Sequence, residues 1–459
     1  MVFAEFRLYE VIKGSGEIVK IQDAVYKDVK IPFGRTYTVK TKWLTDIGDV
    51  PRIDIDMVHS ASSINKQTYL NAKFTISGFG VYDDFEDSVQ IKGRGNSTWG
   101  YAKKPYRLKF ASKVKPFGLT KGKSWVLLAN AQRGALMANA IAMKVGQLTN
   151  APYTNHIIPV ELYINGEYKG NYMFTEHLGM SNNSVDIDED LGYMLELDDY
   201  YDEDFKFRSN NYNLPVNIKD PDLLDFSEEE RNMKFNIIQA DFQQFEDALY
   251  NNEEISKYLD LDAAARFLLV NELVLNMELC HPKSTYLWKG DMYSSESKIT
   301  FGPLWDFDWA FGYQKTGSYF DVDYKTQLLS MATHGRNFFQ ALMNHEEFQK
   351  HYYKVWTEFT ENGYIKEIKE FISDYYTFVE PSLMNNGDIW GDGYDYGSKI
   401  KTMQNWMQRR HDYIATNLKK YDITDLIHNI VGDIDCNDLL TIHDVALLAD
   451  YLIGKTDFT

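Results

Sequence analysis

One decapeptide constrains this chain more than any other stretch: Pro303-Leu-Trp-Asp-Phe-Asp-Trp-Ala-Phe-Gly312. Two carboxylates, Asp306 and Asp308, alternate with aromatic residues. In an extended segment residues i and i+2 share a face, so the spacing predicts both acids on one side and Trp305, Phe307 and Trp309 on the other. Carboxylates held that close repel each other and are costly to take out of water, so the pair calls for a cation beside it. Hard, oxygen-seeking ions such as Mg²⁺, Mn²⁺ or Ca²⁺ suit it. The competing reading is a surface turn of two solvated aspartates flanked by core aromatics. The dense hydrophobic flanks favour the cation.

With 459 residues the chain can bury a large core and is expected to hold more than one domain. A charged fraction of 25% beside a hydrophobic fraction of 44% marks it as globular rather than disordered. The net charge of -19 argues against a general binder of nucleic acid or anionic membrane, and no stretch is apolar enough to span a bilayer. The two cysteines, Cys280 and Cys436, are far apart and outside any CxxC pair, which makes a disulfide framework or a structural zinc site improbable. The first residues, Met1-Val-Phe-Ala-Glu-Phe-Arg7, do not read as a signal peptide. That leaves a cytoplasmic chain or one whose leader has been removed.

Residues 1–47 read as a β segment, with strands at Phe6–Val11, Glu17–Ile21 and Arg35–Thr41, possible as the end of a β-sandwich. Residues 51–220 alternate apolar and polar in short runs. Asn165-Gly166 between Glu161-Leu-Tyr-Ile and Tyr168-Lys-Gly-Asn-Tyr-Met predicts a tight hairpin, because type I′ turns want Asn-Gly. A helix is expected over Gly134–Leu148. Residues 225–420 are mainly helical by pattern. Ser227 caps one helix with an acidic first turn, a second runs over Asp260–Leu275, and others cover 335–360, 364–380 and 395–420. The Asp306 motif is expected in a short β segment among them, after Tyr286-Leu-Trp and Lys298–Phe301. A β-rich part therefore precedes a helix-rich part, an order shared with kinase-like folds.

The tail over 422–459 is distinct. In Gly432-Asp-Ile-Asp-Cys-Asn-Asp-Leu-Leu-Thr-Ile-His-Asp444, the residues Asp433, Asp435, Asn437 and Asp444 fall at positions 1, 3, 5 and 12 of a calcium loop, whose wrap brings such oxygens together on one ion. A plain acidic helix cap is the alternative. Asp438 at position 6, where a glycine is usual, and Asp rather than Glu at position 12 depart from EF-hands.

A second motif, Ile91-Lys-Gly-Arg-Gly-Asn-Ser-Thr-Trp-Gly100, combines three glycines with Lys92 and Arg94 and could cradle phosphates. An ordinary hairpin turn is the alternative. Lys103-Lys-Pro-Tyr-Arg-Leu-Lys109 then places basic residues on a strand just after the loop, where a kinase-like site keeps its nucleotide lysine. Arg107 and Lys109 are equally readable as exposed strand residues.

Together these residues resemble the spore-coat protein H (CotH) kinase-like family over about residues 50–420. The resemblance rests on Ile91–Trp99 with Pro105–Phe110, on Trp125-Val-Leu-Leu-Ala-Asn130, on Glu161–Tyr172 with Glu176, on Gly302–Gly312, and on Trp406 with Arg409-Arg410. It implies an α+β fold, an atypical protein-kinase-like domain of two lobes over 48–421 with a β-rich N-lobe and a helical C-lobe, binding ATP with Mg²⁺ or Mn²⁺. Active members phosphorylate secreted proteins. Carried over, Asp306 and Asp308 are the metal aspartates, and Lys109 is the nucleotide lysine. Lys92, Arg94 and Glu176 are the other nucleotide-site residues. The family's catalytic Asp follows an Asn by two residues; here the place reads Asn276-Met-Glu278, and the extra methylene of Glu278 displaces the carboxylate by more than about 1 Å. Where the family has an Asp and then an Arg-Asn pair, this chain has Gln132-Arg133 and Ala138-Asn139.

The tail resembles a dockerin repeat, with Ile442-His443 where dockerins contact a cohesin; dockerins normally carry two repeats and one is visible here. That resemblance implies a Ca²⁺-binding tail, a cohesin-bearing scaffold as partner and an extracellular, cellulosome-associated protein whose leader has been removed. Three functional expectations result. The first is an ATP-dependent Ser/Thr kinase acting on a secreted protein. The second is a non-catalytic pseudokinase-like scaffold or adhesion module, favoured by Glu278, Arg133 and Ala138. The third is a carbohydrate-binding or polysaccharide-degrading component, resting on aromatic richness and on Trp390-Gly-Asp-Gly-Tyr-Asp-Tyr396.

Overall fold

Alternating strand residues have one apolar face to hide, and seven strands of this chain do so by closing on themselves. The computed structural model describes residues 50–418, except Arg133, 314–318, 321–323 and Ala332, together with Leu8–Val11 and Ile18–Gln22. The calcium-loop residues Asp433, Asp435, Asn437 and Asp444, the predicted strand over 35–41 and Arg133 lie outside the described residues.

Two short strands near the start, β1 (Leu8–Val11) and β2 (Ile18–Gln22), pair antiparallel, close to the expected spans. The barrel strands are β3 (Arg52–Asp56), β4 (Leu70–Ser77), β5 (Phe85–Gly93), β6 (Tyr106–Val114), β7 (Gly122–Leu128), β8 (Ile158–Ile164) and β9 (Glu167–Glu176). They close in the order β3-β4-β5-β6-β7-β9-β8, and parallel pairing of β3 with β8 seals the seam. Ile53, Phe74, Ile91, Leu108, Trp125 and Phe174 fill the interior and are fully buried. Each such side chain stabilises by about 1.5–3 kcal/mol relative to exposure. Because side chains alternate, Arg107 and Lys109 on β6 and Ser124 and Val126 on β7 face outward from this barrel. The β8–β9 hairpin turns through Asn165 (φ 52°) and Gly166 (φ 76°), as the Asn-Gly pair predicts.

A second sheet is built from β10 (Tyr193–Leu197), β11 (Lys206–Arg208), β12 (Pro215–Asp220), β13 (Thr285–Lys289) and β14 (Thr300–Phe301), in the order β11-β12-β10-β13-β14. Its core joins that of the helices. These are α1 (Ala138–Leu148), α2 (Glu228–Tyr250), α3 (Leu261–Val274), α4 (His334–Asn344), α5 (Glu346–Glu361), α6 (Tyr364–Trp390) and α7 (Tyr396–Leu418). The fold is α+β. Ser227 closes a capping box with Glu230 on α2, and Asp260 caps α3 through the Ala263 amide. Arg410, fully buried on α7, spends its guanidinium on Glu272 Oε1 and on the carbonyls of Glu272, Tyr324 and Thr326. No helix among the described residues is long and apolar enough to cross a membrane.

Two local expectations are corrected. The helix expected over 335–360 is two helices, α4 and α5, because His345 leaves the helical conformation (ψ 129°) and its ring bonds the Glu253 carbonyl. The Asp306 motif is not a β segment. Asp306 sits in the left-handed region (φ 57°), and no strand covers it. Phe307 is buried in the core, so the aromatic residues are still the anchors, but a turn rather than a pleat aims the acids.

Candidate functional site

The cleft lies between the outer face of the barrel at β6 and β7 and the second sheet, and it has two connected halves of opposite charge. One cavity of about 770 Å³ is lined by Arg107, Lys109, Lys113, Lys123, Ser124 and the run His177–Asn183. The other, of about 410 Å³, is lined by Gly95–Thr98, Asn139, Glu196, Asp198, Ser284, Asp306 and Asp308. Arg94, Glu203, Lys219, Tyr286 and Trp305 line both and mark the joint.

The acidic half is assembled from three chain segments. Leu275, left-handed at φ 52°, stops α3 and turns the chain to Asn276. The Asn276 side chain donates to Asn271 Oδ1 (3.0 Å) and to the Asp306 carbonyl (3.4 Å), and its oxygen accepts from the Glu278 amide (3.3 Å). Asn139 on the wholly interior start of α1 donates to Asp308 Oδ1 (3.2 Å) and to Asn130 Oδ1 (2.9 Å). Its own oxygen accepts from the Phe307 amide (3.2 Å). Ser284 reaches Asp306 Oδ2 at 3.5 Å, and its amide holds Asp198 Oδ2 at 3.2 Å. Asn130, Leu275, Ser284 and Asp306 all have positive φ, between 45° and 57°. Non-glycine residues avoid that region, and their concentration around one cavity is the local strain typical of a functional site.

Electrostatics follows from this crowding. Asp306 and Asp308 are surrounded by protein yet open to the cavity. Burial raises the affinity of both for a proton, and Asp306 adds to the effect on Asp308, which is pushed up to about 7. Arg94 works against the shift in both. Glu278 is pushed up to about 8 by burial and then by Asp306, with Lys283 opposing. Its Oε2 is buried without a hydrogen-bond partner. Asp198 rises to about 7 through burial and then Glu196. In the basic half, burial together with Arg107 and Arg94 holds His177 well below its ordinary value, so the ring is neutral. Arg107 Nε is buried there without a partner.

The predicted residues are therefore only partly gathered. Arg94, Lys109, Asp306 and Asp308 line the joined cleft. Asn276 and Glu278 bracket Asp306 from the chain after α3, and neither lines either of these two cavities. Lys92 lies over the Tyr69 ring (4.7 Å) on the barrel surface, outside both linings. Glu176 is turned away, bonding the His156 ring (2.6 Å) and amide (2.9 Å). The loop after Trp390 is a brace: Asp392 accepts from the Gly134 amide (2.9 Å) and Tyr396 OH from the Leu136 amide (2.7 Å), fixing the entry to α1.

Sequence reasoning passed over Glu196 and Asp198, although Glu-Leu-Asp at 196–198 repeats the spacing of the Asp306 pair. It also left Asn139 as a departure from a pattern rather than as a site residue. Among the described residues no three His, Cys, Asp or Glu side chains converge into a metal cage. The Asp306–Asp308 pair is the kind of partial site Mg²⁺ accepts when phosphate oxygens complete its shell. Two acids raised by burial, with Asp306 adding to the effect on Asp308, stand near an orphan Glu278 oxygen and fit such a cation.

No curated protein matches the chain. The family model described as CotH kinase protein matches residues 91–414, well over half of the sequence and including every residue of the cleft named above. The chain belongs to the CotH kinase family.

Proposed function

We propose that the cleft binds ATP with Mg²⁺ and transfers its terminal phosphoryl group to a hydroxyl of a secreted protein. The observation that carries this reading is the junction at Arg94 and Trp305, where a basic cavity meets a cavity holding a carboxylate pair. Phosphoryl transfer is mostly positioning and charge stabilisation, so this division of charge is what the reaction needs. In this reading the barrel and the helix–sheet part are the two lobes of a kinase-like domain. Bound Mg²⁺ would supply charge neutralisation at the transferred group.

The chain's own residues do the rest. Arg107 and Lys109 attract phosphate oxygens from the outer face of β6. Asn139 holds Asp308, and Ser284 faces Asp306, so that the pair stays aimed at the joint. Glu278 would take the proton of the attacking hydroxyl in its ionised form, which a cation held by Asp306 and Asp308 would favour. Lys92 and Glu176 have no part in this proposal.

A second reading keeps nucleotide binding without transfer, as in a pseudokinase-like scaffold. It is favoured by the position of Glu278 outside the cavity linings. Incubation with Mg²⁺ and γ-labelled ATP, alone and with secreted partner proteins, separates the two. Label transfer that Asp306→Ala abolishes and Glu278→Asp increases supports the kinase. Tight nucleotide binding with no transfer by either wild type or Glu278→Asp supports the scaffold. We extend the proposal to the tail as a calcium-dependent dockerin that attaches the protein to an extracellular cohesin-bearing scaffold; calcium-independent or absent capture by a cohesin panel would contradict that part alone.

A further inference from the structure

We propose that Arg94 is a catalytic residue whose guanidinium binds the phosphoryl group during its transfer, in preference to the phosphates of the bound ground state. The inference rests on reading the cleft as a nucleotide site.

The glycine loop fixes Arg94 closely. A Cβ on Gly93 would lie 2.4 Å from the Trp99 ring, and one on Gly95, which has φ +83°, would lie 2.1 Å from Thr98 Oγ1. The Arg94 amide is bonded to the Pro105 carbonyl at 3.3 Å. Glycine on either side thus lets the loop pack down while the one long side chain between them projects into the cleft. Its guanidinium carbon lies 5.3 Å from the centre of the Trp305 ring, within cation–π range.

Two cationic residues line both halves of the cleft, Arg94 and Lys219. The Lys219 ammonium is already held by Glu196 and Glu203. Arg94 forms no salt bridge with any described residue, yet it feels the charge of both Asp306 and Asp308. Its position is set by the loop and by Trp305, with its charge unspent beside the carboxylate pair. Arg107, Lys109, Lys113 and Lys123 belong to the basic half alone. They suit resting phosphates, whereas Arg94 suits the group that crosses the joint.

In the transfer step the acceptor O–H bond breaks and its proton goes to a carboxylate. The hydroxyl oxygen bonds the terminal phosphorus, the bond from that phosphorus to the bridging oxygen breaks, and the electron pair leaves on the nucleoside diphosphate. Negative charge shifts onto the bridging and equatorial oxygens. A preorganised planar fork at that point stabilises the changed distribution more than the starting one.

The test is calorimetric binding of ADP with Mg²⁺, with and without aluminium fluoride as the mimic of the transferring group, to wild type, Arg94→Ala and Arg94→Lys. Wild type should bind ADP more tightly when fluoroaluminate is present. Arg94→Ala should keep ADP affinity within about threefold and lose about 100-fold or more of that added tightening, with Arg94→Lys between them. Equal losses for ADP and for the mimic, retained tightening in Arg94→Ala, or no tightening in wild type would each overturn the assignment. Failure of wild type to bind ADP or ATP at all would remove the nucleotide reading itself, which is a different result. Thermal melting of each variant checks that it is folded, and Arg94→Lys carries the comparison if Arg94→Ala is not.

Discussion

The side-chain amide of Asn139 bonds the Asp308 carboxylate at 3.2 Å while its oxygen accepts from the backbone amide of Phe307 at 3.2 Å. One residue of an interior helix thereby sets both the backbone and the charge of the segment that carries the acids. Substitution Asn139→Ala leaves the Phe307 amide and Asn130 Oδ1 short of a partner. The variant should lose about 1–3 kcal/mol of stability, and Mg²⁺-dependent nucleotide affinity should fall about 10–100-fold. Urea unfolding and calorimetry measure the two effects separately. Unchanged nucleotide affinity in a measurably destabilised variant would make Asn139 structural only.

Removing one acid of the pair should have opposite effects on stability and binding. In metal-free protein, Asp308→Asn relieves repulsion between buried carboxylates and keeps an acceptor for Asn139. The melting temperature should rise, by an amount corresponding to about 0.5–2 kcal/mol, while Mg²⁺-dependent ATP binding is lost. A variant that is less stable than wild type without metal would contradict the picture of a repelling pair.

Burial of these acids, with the Asp306 charge adding to it, fixes a pH dependence. Asp308 and Glu278 are raised in the folded chain to about 7 and about 8, above their unfolded values near 4. Between those limits the folded state holds more protons than the unfolded one, so these groups lower stability as pH rises from about 4 to 8 and add no further change above that. Comparing wild type with Asp308→Asn across this range isolates their share. The gap between the two should widen with rising pH in the absence of metal, and saturating Mg²⁺ should narrow it most above about pH 7.

Lys109 and Glu176 look alike as candidates on paper but sit in different places. Lys109 is exposed on the outer face of β6 and lines the basic cavity, whereas Glu176 is buried against His156. Lys109→Ala should weaken ATP binding about tenfold with little change in melting temperature. Glu176→Gln should lower stability by about 1.5–3 kcal/mol and leave ATP affinity alone. The reverse pattern in paired melting and calorimetric curves would restore Glu176 to the nucleotide site.

Much of the architecture was legible because it depends on local signals. The Asn165-Gly166 turn, the Ser227 cap and the alternation in β4 and β6 each follow from residue chemistry within a few positions. The acid pair was legible for a related reason, since two carboxylates two residues apart among aromatic residues stay near each other and near the core. Its conformation was not, because aromatic anchoring and the left-handed Asp306 replace the extended geometry that alternation predicts. Asn139, Asp198 and the orientation of Glu176 were hidden too. Their roles come from contacts such as Asn139 with Asp308 and Asp198 with Ser284, which join segments far apart in the chain.

The central claim is that the two halves of the cleft form one site for ATP and Mg²⁺. The most direct measurement is calorimetric titration of ATP into the wild-type chain with and without Mg²⁺, repeated on Asp306→Asn. The account predicts one binding event that strengthens at least tenfold with Mg²⁺ in wild type, about 1.4 kcal/mol, and shows no Mg²⁺ effect in Asp306→Asn. Absence of ATP binding to folded wild-type protein, or binding indifferent to Mg²⁺, would contradict it.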